Sequence, residues 1–184
     1  MKILAFSKRF IFTLFLVLVG VNLWGQAPTP TLSLLDPEAA YNATTNPYVV
    51  TSAEDWGKLA SDVAGGYSYD GEVIKLTADI SVSTMVGAEG KPFSGTFNGY
   101  TGVGYGLYTL TFNYGTSGSH TDEEIVAPFR YTKSATITYL QVSGAIHTDA
   151  GKEAGLIGVN TRTDHNTTVE YVIVDLDLYC YESL

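Results

Sequence analysis

The chain has 184 residues, with 10 Lys and Arg against 19 Asp and Glu and a formal charge of −9. That balance excludes nucleic acid and anionic membrane surfaces as expected partners, because both demand clustered Lys and Arg. A single cysteine, Cys180, excludes an intrachain disulfide, so the fold must rest on packing and backbone pairing.

Residues 1–27 read as a secretory signal peptide. Lys2, Lys8 and Arg9 precede an uncharged apolar run from Phe10 to Trp24, and the small residues Gly25 and Ala27 follow it. The run is about 15 residues, short of the ~20 that a spanning helix needs. Cleavage near Gly25 or Ala27 leaves about 157 residues, enough for one domain with a core, and no membrane span is expected after it.

Residues 28–48 carry Pro28, Pro30, Pro37 and Pro47 among Thr, Ser and Ala, and are expected to form an extended linker. A domain over 49–184 then opens with a helix signal. Ser52 can accept from free N–H groups of the first turn, and Glu54 and Asp55 sit where the helix dipole favours acids. Trp56, Leu59, Ala60 and Val63 form one apolar stripe, and Gly65-Gly66 supplies the positive φ of a C-terminal cap. Such a helix ahead of β-repeats is placed to cover an otherwise open apolar end.

From Glu72 onward the periodicity is that of strands. Ile74, Leu76, Ile80 and Val82 alternate or nearly so, and Phe93 to Gly99 ends in an Asn-Gly turn. The run Leu107 to Phe112 has its partner in Ile137 to Val142, moved on by about 30 residues, and again in Val169 to Val174, moved by about 32. Ile146 and Leu178 keep the same step, and Ala127-Pro128-Phe129 and Ala154 to Gly158 would be further faces of the same coils. A period of roughly 30 predicts an all-β solenoid, in which each coil buries its apolar face only when the next stacks on it. A β-sandwich of short strands is the alternative.

The strings Val50 to Trp56 followed by Leu59-Ala60, then Leu76 to Ile80, Phe93 to Gly99 and Ala154 to Asn160, resemble the GLUG-motif β-helix proteins of Bacteroidota and some Gram-positive bacteria. These occur within large adhesins or beside immunoglobulin-cleaving peptidase domains. The chain departs from the family pattern at Met85-Val86-Gly87, where the family more often has a Trp and an Ile-Gly pair, and at Tyr100 to Gly106, where it has a glycine-rich turn. The resemblance implies a right-handed parallel β-helix, which the helix would cap at its N-terminal end, and an adhesin-like surface protein; it implies no particular ligand.

No catalytic, cofactor-binding or metal-ligating set is legible. His120, His147 and His165 lack metal-type spacing. Asp175 and Asp177 share a strand face, and Asp122, Glu123 and Glu124 cluster after a Gly/Ser-rich loop; both are expected to be solvated, although paired carboxylates could serve a glycosidic reaction or hold calcium. Gly102 to Gly106 lacks the register of a phosphate-cradling loop and reads as a turn. Cys180 is expected in a core or ladder position. Tyrosines such as Tyr67, Tyr69, Tyr100, Tyr105, Tyr108, Tyr114, Tyr131 and Tyr139 suit either stacking within a solenoid or contact with sugar or protein.

The expectation is therefore a secreted or cell-surface β-helix module, non-catalytic and without cofactor, for adhesion, ligand binding or spacing. Its partner would be a host or neighbouring-cell glycan or protein. The competing function is a carbohydrate-active β-helix enzyme, either lyase or hydrolase, using Asp175, Asp177 and the 122–124 cluster. Because Leu184 follows directly on a strand pattern, further repeats or domains of a longer chain are also expected.

Overall fold

The computed structural model describes residues 27–118, 123–149, 152–161 and 166–181. The expected signal peptide up to Gln26, together with His120, Asp122 and His165, lies outside the described residues.

Among the described residues, eleven strands and one helix follow in chain order. They are β1 (Tyr48–Val50), α1 (Ala53–Gly65), β2 (Val73–Leu76), β3 (Ile80–Val82), β4 (Thr96–Asn98), β5 (Tyr108–Phe112), β6 (Ile125–Val126), β7 (Phe129–Thr132), β8 (Thr136–Asp149), β9 (Glu153–Ala154), β10 (Ile157–Asn160) and β11 (Thr168–Tyr181). Helix α1 begins and ends where its caps dictate. The Ser52 side chain accepts from the Asp55 N–H, and Gly66 takes φ +104° with its N–H returned to the last turn. Trp56, Leu59, Ala60 and Val63 are all buried.

Every strand pair among the described residues is parallel, and antiparallel contact is confined to isolated bridges. The antiparallel sheets of a β-sandwich are therefore not what this chain builds. The principal sheet has the order β1-β2-β4-β8-β5-β3, with β11 added on β8. Strand β8 is long enough to serve two neighbours on one edge: Thr136–Thr138 pair with β4, and Leu140–Ser143 pair with β5. Its other edge carries β11 from Thr168 opposite Thr136 to Tyr181 opposite Asp149. Two small sheets, β7 with β10 and β6 with β9, join the segments that the sequence marks as further faces.

The sequence period is correct for β8 and β11, where Ile137 faces Val169 and Ile146 faces Leu178. For β5 it is two residues out. Tyr108 lies opposite Leu140 and Leu110 opposite Val142, a step of 32 rather than 30. A shift by two keeps every side chain on its face, so hydrophobic pattern alone does not separate the two registers.

Between the sheets lies an aromatic core. Trp56 meets Phe97 and Phe129 edge-on at 5.6 and 5.4 Å, Phe97 meets Phe129 at 5.3 Å, and the indole N–H donates to the Thr84 carbonyl at 2.7 Å. Helix α1 thus buries its stripe against chain from several later elements, as an element covering apolar surface should.

Residues 28–48 depart from the expected extended linker. Leu32 is 5 % exposed and belongs to the core. Thr31 donates from its N–H and its hydroxyl to Asp62 of α1, at 2.7 and 2.8 Å. Asn46, also buried, donates to the carbonyls of Asp36, Ala39 and Ala40 and accepts from the Asp36 N–H, which coils 36–46 into a compact loop. Prolines restrict the chain here without extending it, because Leu32 and Asn46 have somewhere to be buried.

Candidate functional site

The candidate surface best defined by the geometry is built at one corner of the principal sheet. Where β8 changes neighbour from β4 to β5, a single residue, Tyr139, makes the turn at φ +52°; Tyr171 makes the same turn in β11 at φ +56°. This left-handed region costs a residue with a Cβ about 1–3 kcal/mol and suits Gly or Asn better. At both corners the strained position holds a tyrosine, and the two rings stack at 4.7 Å, 12° from parallel.

In the preceding pass the corner is expanded. Residues 99–107 stand where β8 has only Tyr139, since Asn98 pairs with Thr138 and Tyr108 with Leu140. They form a closed loop pinned by the Tyr100–Leu107 bridge and a Gly106 N–H to Val103 carbonyl bond of 3.0 Å. The expected turn at Gly102–Gly106 is present. Tyr100, whose hydroxyl donates to the Gly104 carbonyl at 3.1 Å, sets its ring 5.3 Å from that of Tyr139.

Tyr100, Tyr139 and Tyr171 thereby form a continuous aromatic row, and Tyr105 stands fully exposed beside it. Together with Leu107 and Ile173 they line an apolar groove of about 360 Å3. Such a surface binds flat apolar faces and presents hydroxyls at its margin.

Two strongly perturbed phenols lie elsewhere, just beyond the C-terminal end of α1. Burial, reinforced by a 2.5 Å bond to Asp62, pushes the Tyr69 phenol up; burial and a bond to Glu72 do the same for Tyr67. Asp62, which accepts from Tyr69, also accepts from Thr31 and so ties 28–48 to the helix.

The structure does not gather the carboxylates considered above. Asp175 and Asp177 lie on β11 opposite Ser143 and Ala145, whereas Glu123 pairs with Arg130 and Glu124 with Lys152. Among the described residues no group of three or more His, Cys, Asp or Glu side chains stands at metal-binding separation. His147 lies in β8, its ring stacked at 4.6 Å on Tyr179 and its Nδ1 2.7 Å from the Tyr181 hydroxyl. Cys180 takes a ladder position opposite Thr148 and is exposed rather than in the core. No described helix is long and apolar enough to cross a membrane.

Tyr171 completes the groove although composition alone gives no reason to single it out. The signal that finds it is the 32-residue step from Tyr139. Comparison with protein-family models, with curated proteins and with solved structures gave no match.

Proposed function

We propose that this chain is an exported, right-handed parallel β-helix module that binds a glycan at a cell surface and catalyses no reaction on it. The observation that carries the proposal is the groove of Tyr100, Tyr105, Tyr139 and Tyr171, in which two tyrosines hold a backbone conformation that costs stability. Observed strain of this kind is a pointer to function. A sugar ring offers a C–H face to an aromatic ring and equatorial hydroxyls to the phenols around it.

The β-helix reading is supported by parallel pairing at steps of 28 to 32 residues for β3 with β5, β5 with β8, β7 with β10 and β8 with β11, while β4 pairs with β8 at a step of 40 across the expanded 99–107 loop, close to the spacing of stacked repeats. Its right hand follows from the preference of parallel crossovers, about 98% of which are right-handed. The resemblance to GLUG-motif surface proteins and the signal-peptide pattern support export and an adhesive role.

The test is a glycan array probed with the chain from Ala27 onward, which carries every described element. Tyr105→Ala and Tyr171→Ala are each expected to weaken the retained glycan about tenfold or more, as truncation of a binding aromatic does. Retention of no glycan, or retention indifferent to both substitutions, would sink the proposal.

A further inference from the structure

A second cavity, of about 400 Å3, opens at another corner, beside the C-terminal end of α1. Its wall combines Ser68, Ser94 and Ser134 with Lys91, Lys133 and Asp70, and no aromatic ring lines it. The serines come from three neighbouring passes of the chain: the Ser94 N–H donates to the Ser68 carbonyl at 2.8 Å, and the Lys133 N–H donates to the Phe93 carbonyl at 2.9 Å. Neighbouring passes of a parallel sheet lie about 4.7–4.9 Å apart, close to the length of one pyranose ring. Lys91 is presented by a tight turn in which Ala88 and Lys91 exchange backbone hydrogen bonds, with Gly90 at φ +73°.

The lysines stand out against the charge of the chain. Lys58, Arg130 and Lys152 are each neutralised by a carboxylate. Lys91 instead donates to the Ala64 carbonyl at the helix end, and among the described residues no carboxylate pairs with Lys91 or Lys133. A protein of net charge −9 thus sets two ammonium groups without an ion-pair partner on one polar wall, beside the single carboxylate of Asp70.

We infer that this cavity binds an acidic saccharide, one whose sugar ring carries a carboxylate or a sulfate. Lys91 and Lys133 hold the anionic group, the serine row bonds the ring hydroxyls, and Asp70 accepts from a hydroxyl. The absence of an aromatic wall leaves a nucleotide base without a stacking partner. This site is separate from the tyrosine groove and stands or falls independently of it.

Calorimetric titration of the chain from Ala27 onward, at low ionic strength, tests the inference with oligogalacturonate, a heparin oligosaccharide, a cello-oligosaccharide and inorganic sulfate. At least one acidic oligosaccharide should bind, more weakly as salt rises, and the neutral one should not compete for it. Lys133→Gln and Lys91→Gln should each weaken binding about tenfold or more, the worth of a charge-assisted hydrogen bond. Lys75→Gln, on β2 and away from this wall, should leave it unchanged. Circular dichroism confirms that each variant is folded, and Lys133→Gln spares the Lys91 bond to α1. The inference is overturned by binding that ignores Lys133, by acidic and neutral oligosaccharides binding alike, or by inorganic sulfate binding as tightly as the saccharides, which would mean an adventitious ion only.

Discussion

Asp62 shows how much a single buried group decides. It is 6 % exposed and accepts from Thr31 twice and from the Tyr69 hydroxyl. Tyr69→Phe keeps the ring packing but removes one donor, and is expected to lower stability by about 1–3 kcal/mol in chemical denaturation. The same bond predicts an alkaline signature. Burial first, then the neighbouring carboxyl, raises the Tyr69 phenol above its ordinary 10.0. A raised folded value stabilises below the unfolded one and is lost as pH climbs beyond it, so Tyr69 should remain silent in a phenolate absorbance titration until the chain unfolds.

Asp55 has the opposite sign. Burial works against its ionised form, yet the Thr51 hydroxyl and N–H and the Lys58 ammonium outweigh it and hold the carboxyl down from 3.8 to about 2. Its contribution is full above the unfolded value and disappears as pH falls through the folded one. The difference in melting temperature between the native chain and Asp55→Asn should therefore be constant near neutrality and vanish between pH 3.8 and about 2. Gly144, inside β8 at φ +121°, is a third such position, because an added Cβ would stand 2.1 Å from the Phe112 carbonyl oxygen. Gly144→Ala forces that backbone apart, and thermal unfolding should reveal a loss beyond the ~1 kcal/mol of backbone conformation alone.

At the scale of elements, α1 was readable in advance because its determinants are local: a side-chain cap, an apolar stripe and a terminal glycine act within a few residues of one another. Loop 99–107 was readable only as a turn. That it hangs over Tyr139 and Tyr171 depends on which strand lies beside which, and two registers fit the same alternation. The loop is separable from the fold, since β8 turns the same corner with one residue. Replacing residues 99–107 by a single asparagine should leave the circular dichroism spectrum of the chain essentially unchanged while abolishing glycan retention at the groove. Loss of the folded spectrum would instead make the loop a structural element.

At the scale of the whole molecule, β11 presents exposed apolar side chains. Among the described residues it pairs with β8 on one edge only, and Val169, Tyr171, Ile173, Val174, Leu178 and Tyr179 are all exposed on it. A long strand with a free edge and apolar side chains is a template for further pairing. The chain from Ala27 should self-associate with rising concentration in sedimentation velocity, and Leu178→Lys should shift it toward monomer; a wild-type chain that stays monomeric throughout would contradict this. Residues 28–48 act at the same scale, because Leu32 and Thr31 tie the start of the described chain to core and helix.

The sequence by itself determined the strand-rich composition, the helix with both its caps and the step of 32 between β8 and β11. All of these are written in neighbours along the chain or in a repeated pattern of apolar positions. The tertiary structure decided the register of β5, the folding of 28–48 onto α1, the aromatic groove and the cavity of serines and lysines. Each joins residues roughly 30 apart or more, and hydrophobic alternation fixes which face a side chain takes without fixing which pass of the chain it will meet.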